Sequence, residues 1–246
     1  MKKIIQTIFS IYGFATFILL LLLLLPAFFI ASLFGKVKGG NMFYKICSFW
    51  SDIWLFLVGV RVKVQHEAIL AEHRPCIFVA NHSSYMDIPM LVNVLREPLR
   101  VLGKQEMAGI PVFGYVYRKA VVMVNRKDAS QRAKSVAELK KTLGLGISIF
   151  IFPEGTFNLT DGPLKDFYDG AFRIALETQT PIQPIIFPDS VKRLGNHSVF
   201  SLRPGICRAV YLPMVELNGL NEPDIASLKQ KVYLQMEEAL LRYRSK

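Results

Sequence analysis

The sequence predicts an α/β fold in which a mixed, mostly parallel sheet is flanked by helices and preceded by N-terminal membrane-associated helices. Three observations support this prediction. A long apolar segment lies near the N-terminus, short apolar runs alternate with segments of helical periodicity after residue 60, and polar residues cluster where the predicted strands end. The 246 residues suffice for one domain of ordinary size plus an appendage. We therefore expect an anchoring helical region over residues 1–60 and an α/β domain over residues 61–246.

The first apolar segment predicts a membrane helix. Residues 4–35 carry no charged side chain, and residues 19–25 are an unbroken run of leucine. A helix needs about 20 apolar residues to cross the hydrocarbon core of a bilayer, and this segment is longer. A cleaved signal peptide is the alternative, but its apolar core is usually shorter, at roughly 7–15 residues. We expect the segment to stay in the membrane, either spanning it or lying in its interface.

A second apolar stretch, residues 42–60, predicts a helix at the membrane surface. Trp50 and Trp54 are of the residue type that prefers the interface, whereas Lys45 and Asp52 interrupt the stretch. An interfacial or re-entrant helix therefore fits better than a second span. The three cysteines are isolated from one another in the sequence. They indicate neither a disulfide framework nor a zinc site, and they fit a domain that faces the cytoplasm.

Composition and charge narrow the classes of partner. Hydrophobic residues make up 52% of the chain and charged residues 20%, so a sizeable core is expected and disorder is not. The net charge of +11 indicates an anionic partner: nucleic acid, anionic lipid or a phosphorylated substrate. The mean hydropathy of +0.32 and the apolar N-terminal segment favour lipid. A nucleic-acid binder fits poorly, because the sequence has no recognisable binding motif of that kind.

Predicted strands and helices alternate through the rest of the chain. Apolar runs predict buried strands at residues 77–80, 99–103, 121–124, 147–152, 182–187 and 206–212. Helical periodicity predicts helices at residues 88–95, 129–143, 170–178 and 225–243. Asp128 is placed to cap the second of these helices. In sheets of this kind, functional sites gather where strands end and helices begin.

The first candidate site follows the strand at residues 77–80. Asn81 and His82 come directly after this strand, and Asp87 follows five residues after His82. An imidazole is the side chain best suited to take a proton near neutral pH, and a carboxylate on its second ring nitrogen fixes the tautomer. If His82 lies in the turn and Asp87 in the first helical turn, the two can meet. The same residues also fit a structural turn in which Asn81 and Ser84 are caps.

Basic residues stand at the ends of two further predicted strands. Lys104 ends the strand at residues 99–103, and Arg126 follows the strand at residues 121–124. An arginine at a strand end can clamp a phosphate through two parallel hydrogen bonds, and a lysine can add a second charge. A solvated basic loop is the alternative, and for Lys104 taken alone it is the better interpretation.

A third candidate site is the sequence Phe152-Pro153-Glu154-Gly155-Thr156, which follows another buried strand. Gly155 permits close backbone approach and can expose amide groups to a ligand. Glu154 can accept a hydrogen bond from a substrate hydroxyl or orient a basic residue. A plain turn is the alternative, because proline and glycine commonly follow strands.

Taken in this order, the blocks resemble the motifs of the glycerolipid acyltransferase family, and most of all those of the 1-acylglycerol-3-phosphate acyltransferases. The family's N-H-x-x-x-x-D motif matches Asn81, His82 and Asp87, and its F-P-E-G-T motif matches residues 152–156. The family's second motif resembles a block that contains Gly103, Lys104, Pro111, Gly114, Asn125 and Arg126. The first and third motifs, each placed after a strand, are specific as a pair.

Two positions depart from the family pattern. Phe157 stands where an arginine usually follows E-G-T, and Asn125 stands where an acidic residue often precedes the arginine of the second motif. Phe157 cannot make the contact with phosphate or acyl donor that is assigned to the family's arginine. These two positions therefore leave the identity of the acceptor open.

The resemblance implies an enzyme that transfers a fatty acyl group from acyl-CoA or acyl carrier protein to the free sn-2 hydroxyl of lysophosphatidate. His82, oriented by Asp87, would take the proton of that hydroxyl, and backbone amides would stabilise the oxyanion. The family's chemistry uses no metal, cofactor or prosthetic group. The substrate-binding residues implied by the resemblance are Asn81, Lys104, Arg126, Glu154, Gly155 and Thr156.

Three alternatives stay open at this point. The acceptor can be a different molecule of the same kind, such as a lyso-ornithine lipid, another lysophospholipid or glycerol-3-phosphate. The chain can also be a non-catalytic membrane protein that binds lipid. An acyl-serine intermediate at Ser83 or Ser84 is the third alternative, but no G-x-S-x-G elbow surrounds either serine.

Overall fold

The computed structural model describes residues 2–68, 75–125, 128–217, 219 and 224–245. Within these ranges seven strands form one sheet, and eight α-helices cover the sheet or precede it. The strands are β1 Val60–His66, β2 Ile77–Ala80, β3 Arg100–Lys104, β4 Val121–Val124, β5 Ile149–Ile151, β6 Ile182–Ile186 and β7 Gly205–Tyr211. The helices are α1 Lys2–Ser32, α2 Gly40–Leu57, α3 Asp87–Val94, α4 Phe113–Ala120, α5 Ala129–Gly144, α6 Gly170–Thr178, α7 Ser190–Arg193 and α8 Ile225–Arg244.

The sheet has the order β1-β7-β6-β2-β5-β3-β4. Only β6 and β7 pair antiparallel, and the other neighbouring strands of the described sheet pair parallel. The predicted fold class, a mixed and mostly parallel sheet flanked by helices, is therefore confirmed. Because β2 to β6 all run in one direction, their carboxyl ends lie at the same edge of the sheet. That edge carries the residues that follow each of these strands.

The centre of the sheet is buried on both faces. In β5, Ile149 and Ile151 belong to a core that includes side chains of α5, α6 and α8, whereas Phe150 belongs to a second core with α2 and α3. Successive side chains of a strand point to opposite faces, so these three residues serve both cores. Burial on both faces explains why the strand is an unbroken apolar run in the sequence.

Helices α1 and α2 pack against each other as a hairpin. The ring of Phe17 lies edge-on to Trp50 and Trp54, with centroids 4.6 and 5.6 Å away, and the Trp54 indole donates a 2.8 Å hydrogen bond to the carbonyl of Gly13. Most of α1, residues 3–32, is long and apolar enough to cross a membrane by length and composition. Its exposed large side chains are Ile4, Ile5, Ile8, Ile11, Tyr12, Phe14, Leu19, Leu22, Leu23, Phe29 and Ile30.

Arg100 joins the hairpin to the sheet. This first residue of β3 is buried, and its guanidinium donates to the carbonyls of Lys36 and Val37 at 3.3 and 3.2 Å and to Asn41 Oδ1 at 3.0 Å. Removal from water lowers the pKa of Arg100, because burial disfavours the charged form. The turn between α1 and α2, Gly35–Gly39, is thereby held against the start of β3.

The predicted strands and helices are present, with ends that differ by a few residues. Asp128 caps α5 as predicted, since its Oδ1 accepts a 3.1 Å bond from the Gln131 amide. β1 and α4 were not predicted from the sequence, although valine alternates with polar residues over residues 60–65, a pattern typical of a half-buried strand. The edge strand β1 has a polar-rich sequence that leaves most of its residues exposed, and α4 is a short helix of eight residues.

Candidate active site

The predicted pair of His82 and Asp87 meets in the structure. His82 lies in the turn after β2, Asp87 begins α3, and the distance from His82 Nδ1 to Asp87 Oδ2 is 3.0 Å. The same oxygen accepts the backbone N–H groups of Ser83 and Ser84 at 2.8 and 2.9 Å. Since Asp87 Oδ2 acts as an acceptor throughout, His82 Nδ1 carries a hydrogen. The other ring nitrogen, Nε2, is therefore the one that can take a proton.

Aromatic rings confine the imidazole of His82. Phe152 stacks on it with centroids 3.9 Å apart and an interplanar angle of 15°, and Phe157 meets it edge-on at 4.5 Å. Phe157 also packs against the half-exposed ring of Tyr85 at 4.7 Å. The His82 side chain keeps 16% of its surface exposed, so a substrate can still reach it.

Glu154 connects the first and third motifs. Its Oε1 accepts the backbone N–H of His82 at 2.7 Å, and its Oε2 accepts the backbone N–H of Lys165 at 2.9 Å. Burial raises the pKa of Glu154 to about 7, and the two amide hydrogen bonds oppose that rise. The prediction that Glu154 contacts the substrate is corrected here. The carboxylate is fully buried and positions two backbone segments instead.

Gly155 and Thr156 form a tight turn after β5. Gly155 has a φ of +73°, which glycine adopts without strain. Its N–H donates to the carbonyl of Phe152 at 3.0 Å, and the N–H of Thr156 donates to the carbonyl of Glu154 at 2.9 Å. These amides are therefore occupied, and the expectation that they are exposed to a ligand is wrong. The Thr156 hydroxyl accepts a 2.9 Å hydrogen bond from Lys165 Nζ.

Asn81 also positions backbone. Its side chain is buried and pairs twice with Phe187 at the end of β6, donating to the carbonyl at 3.2 Å and accepting from the amide at 2.7 Å. These two hydrogen bonds fix the turn after β2 against the neighbouring strand. The predicted contact between Asn81 and substrate is corrected for that reason, since both ends of the amide are used inside the protein.

The basic residues of the second motif are less closely tied to the site. Lys104 ends β3 at the correct edge of the sheet, but β5 lies between β3 and β2, which separates the strands by about 10 Å. Its side chain is about half-exposed and pairs with Glu106 at 3.4 Å, so the solvated alternative describes it best. Arg126 lies outside the described residues, and its contact with phosphate stays a prediction.

Two residues of the site were not identified by the sequence analysis. The backbone N–H of Asn158 donates to the carbonyl of His82 at 2.7 Å. Lys165 contacts Glu154 through its backbone N–H and Thr156 through its Nζ. Both belong to the segment between β5 and α6, which has no helical or strand periodicity. The only available signal was a long polar segment beside a motif, which does not identify individual side chains.

Comparison with known proteins identifies the family. A family model described as Acyltransferase matches residues 61–188, which is more than half of the chain and includes the first and third motifs. The chain belongs to the acyltransferase family, and with it to the O-acyltransferase enzymes. The resemblance drawn from the motifs is thereby confirmed.

Curated relatives in animals and bacteria carry one name. The human 1-acyl-sn-glycerol-3-phosphate acyltransferase beta is 29% identical over 76% of this chain and 67% of its own length. The mouse 1-acyl-sn-glycerol-3-phosphate acyltransferase alpha is 27% identical over 72% of this chain and 62% of its own length. The enzyme of that name from Salmonella typhimurium is 25% identical over 75% of this chain and 74% of its own length. The matched region thus spans about two thirds of these relatives.

A solved structure supports the fold. The crystal structure of the 1-acyl-sn-glycerophosphate acyltransferase PlsC from Thermotoga maritima superposes with a TM-score of 0.82. The match covers 100% of this chain and 99% of the Thermotoga chain, at 19% sequence identity. The likeness therefore extends over the N-terminal hairpin as well as the sheet.

Proposed function

We propose that this enzyme transfers a fatty acyl group from an acyl thioester to the free sn-2 hydroxyl of 1-acylglycerol-3-phosphate. The product would be phosphatidic acid, an intermediate of phospholipid synthesis. The observation that carries the proposal is the 3.0 Å contact between His82 and Asp87, which leaves one ring nitrogen as a base. The names of the relatives support lysophosphatidate as the acceptor.

The proposed reaction is a direct transfer. His82 Nε2 removes the proton of the acceptor hydroxyl while the oxygen attacks the carbonyl carbon of the thioester. The tetrahedral intermediate collapses, the carbon–sulfur bond breaks, and the imidazolium returns its proton to the leaving thiolate. Asp87 stabilises the imidazolium between these two steps. A general base of this kind typically contributes 10²- to 10⁴-fold, as an order of magnitude.

The proposed chemistry uses no metal, cofactor or prosthetic group. A thioester is already activated, so the chain has to supply a base and to hold the two substrates. Acyl-CoA and acyl carrier protein are both suitable donors, because each presents the same thioester. Arg126 stays the proposed clamp for the acceptor's phosphate, and replacing it with alanine is expected to raise the acceptor KM.

Residues 1–60 are the proposed membrane anchor, and residues 61–246 the proposed catalytic domain facing the cytoplasm. The exposed apolar side chains of α1 support the anchor, since burying each CH₂ group gains about 0.8 kcal/mol. One chain segment, residues 194–201, also connects the turn after β2 to α1. Ser84 Oγ donates to the carbonyl of Leu194, and a few residues later the carbonyl of Ser201 accepts a 3.0 Å bond from Gln6 in α1. A lipid acceptor could thus meet His82 while its chains stay in the bilayer.

The experiment that tests this function is an acyl-transfer assay on the purified full chain. Vesicles containing 1-oleoyl-lysophosphatidate are incubated with oleoyl-CoA or with oleoyl acyl carrier protein, and phosphatidate is measured. Phosphatidate formation with at least one donor is expected. No turnover with either donor, on protein that binds lysophosphatidate tightly, would contradict the proposal and support a non-catalytic lipid-binding protein.

A different lyso-lipid is the second candidate acceptor, and one observation favours it. Phe157 lies against the catalytic imidazole, at a position where the resembled family usually has arginine. The assay therefore includes lysophosphatidylethanolamine, a lyso-ornithine lipid and glycerol-3-phosphate beside lysophosphatidate. A higher kcat/KM for one of these acceptors would replace lysophosphatidate and keep the mechanism.

A further inference from the structure

We propose that Lys165 binds the anionic head group of the acyl acceptor beside His82 and sets the preference for a phosphorylated acceptor. This inference rests on the proposed function, because it takes His82 as the base and lysophosphatidate as the acceptor. It adds a binding residue that belongs to none of the three sequence blocks described above. Three structural observations support it.

The first observation is that the backbone of Lys165 is fixed beside that of His82. Both carboxylate oxygens of Glu154 are used, one for each of these two amides. Two hydrogen bonds and one carboxylate place the two nitrogens at most about 8 Å apart. The position of Lys165 relative to the imidazole is therefore set by a fully buried group rather than by a free loop.

The second observation concerns where the ammonium group lies. Lys165 Nζ donates a 2.9 Å hydrogen bond to Thr156 Oγ1, and the next residue, Phe157, contacts the His82 ring. The residue that holds the ammonium is thus the direct neighbour of the residue that contacts the imidazole. The Thr156 hydroxyl accepts from Lys165 and keeps its own hydrogen, which can donate to a phosphate oxygen. An ammonium and a hydroxyl donor then face the same anion.

The third observation is that this positive charge is available. No carboxylate of the described residues lies within ion-pair distance of Lys165 Nζ, and the hydrogen bond that holds the ammonium is exposed to solvent. Lys104, by comparison, pairs with Glu106. Phe157 is uncharged and cannot bind an anion. Lys165 is thus a basic residue whose charge is not paired within the described residues and which is hydrogen-bonded to the turn that contacts the imidazole.

The test is steady-state kinetics on the full chain in phosphatidylcholine vesicles, with 1-oleoyl-lysophosphatidate and oleoyl-CoA. For Lys165→Gln we expect the acceptor KM to rise about tenfold or more, because a hydrogen bond to a charged group is lost. The kcat and the KM for oleoyl-CoA are expected to stay within about twofold, since the backbone bond from residue 165 to Glu154 is retained. Lys165→Arg, which keeps the charge, is expected to restore an acceptor KM near that of the wild type.

Lys63→Gln is the matched control. Lys63 is an exposed lysine on β1, the strand at the far edge of the sheet, so the change removes one charge without touching the site. A similar KM rise in this control would show a general effect of charge on vesicle binding and would overturn the inference. Thermal unfolding of each variant checks that the fold is kept.

Failure of the inference can be told apart from failure of the proposed function. An unchanged acceptor KM in Lys165→Gln, with a wild type that acylates lysophosphatidate, overturns the inference and leaves the function standing. A rise confined to the KM for oleoyl-CoA also overturns it, because Lys165 would then bind the donor. If the wild type does not acylate lysophosphatidate, the function fails and this inference fails with it.

Discussion

At the residue scale, the site depends on one carboxylate oxygen that holds three groups. Asp87 Oδ2 accepts from the His82 ring and from the amides of Ser83 and Ser84, so it fixes both the ring and the turn that carries it. The spacing of His82 and Asp87 made this pair predictable, because a strand, a tight turn and a helix start lie within a few residues.

Replacing Asp87 tests that role. In Asp87→Asn the amide can no longer act only as an acceptor, so the Nδ1 hydrogen of His82 loses its fixed partner. We expect kcat to fall about 10²- to 10⁴-fold in lysophosphatidate acylation, with little change in either KM. Asp52→Asn is the control, since Asp52 lies on α2 and forms an exposed pair with Arg96. Turnover within about threefold of the wild type would contradict the role.

Glu154 gives a dependence of stability on pH. The pKa of Glu154 is about 7 in the folded chain and 4.5 in ordinary surroundings. Between pH 4.5 and 7 the folded state therefore binds a proton that the unfolded state has released. The stability from this group is complete below about pH 4.5 and is lost as the pH rises through 7. The loss is on the order of 3 kcal/mol.

The comparison with Glu154→Gln isolates this contribution, because glutamine does not titrate. As the pH is raised from 4.5 to 8, we expect the thermal unfolding midpoint of the wild type to decrease relative to that of the variant in the same detergent. The variant loses one of the two backbone acceptors, so it starts less stable at low pH. A difference that stays constant over this range would contradict the raised pKa.

The roles of Glu154 and Lys165 could not be predicted from the sequence. The bond from Glu154 to the His82 amide joins residues 72 apart, and it exists only because β2 and β5 are neighbours. Periodicity describes which face a side chain takes within one element. It does not describe which distant backbone group that side chain will meet, so a buried bridging carboxylate was interpreted as a substrate ligand.

At the element scale, the helical hairpin and the sheet are joined by a buried charge. The Arg100 guanidinium bonds to three oxygens around the turn between α1 and α2, and no ion pair of the described residues involves it. The start of β3 was predicted from its apolar run. Its connection to the hairpin was not, because a lone arginine at a strand end indicates a surface position in most proteins.

Replacing Arg100 is expected to destabilise the protein. Arg100→Met keeps much of the side-chain volume but removes the side-chain hydrogen bonds to Lys36, Val37 and Asn41. A free energy of unfolding lower by about 3 kcal/mol is expected, and it should appear as a lower thermal midpoint in detergent. Arg61→Met, at an exposed position of β1, is the control. An equal midpoint for both variants would show that the contact contributes no stability.

At the scale of the whole molecule, the strand order brings the site together. The order β1-β7-β6-β2-β5-β3-β4 places the ends of β2 and β5 side by side, and with them His82 and Glu154. The class of fold and most elements could be predicted from alternating apolar runs. The order could not, because apolar runs specify burial and not neighbours, and β1 had no apolar run at all.

The apolar surface of α1 predicts how the chain partitions. Leu22 and Leu23 are exposed by 43% and 66%, so lysines there would have to enter the proposed bilayer. Leu22→Lys with Leu23→Lys should move a large part of the protein from the membrane fraction to the soluble fraction after alkaline extraction, since each charge costs about 2.5–3.5 kcal/mol in a bilayer centre. Leu241→Lys, at an exposed position on α8, should leave partitioning unchanged. Full retention of the double variant would contradict the anchor.

The central claim is that His82 is the base, and one comparison tests it most directly. His66 is a second histidine stacked on an aromatic ring, that of Tyr211 at 4.8 Å, but it lies on β1. The kcat for lysophosphatidate acylation is measured for His82→Ala and for His66→Ala. We predict a loss of at least about 10²-fold for His82→Ala and near wild-type turnover for His66→Ala. Near wild-type turnover in folded His82→Ala would contradict the mechanism.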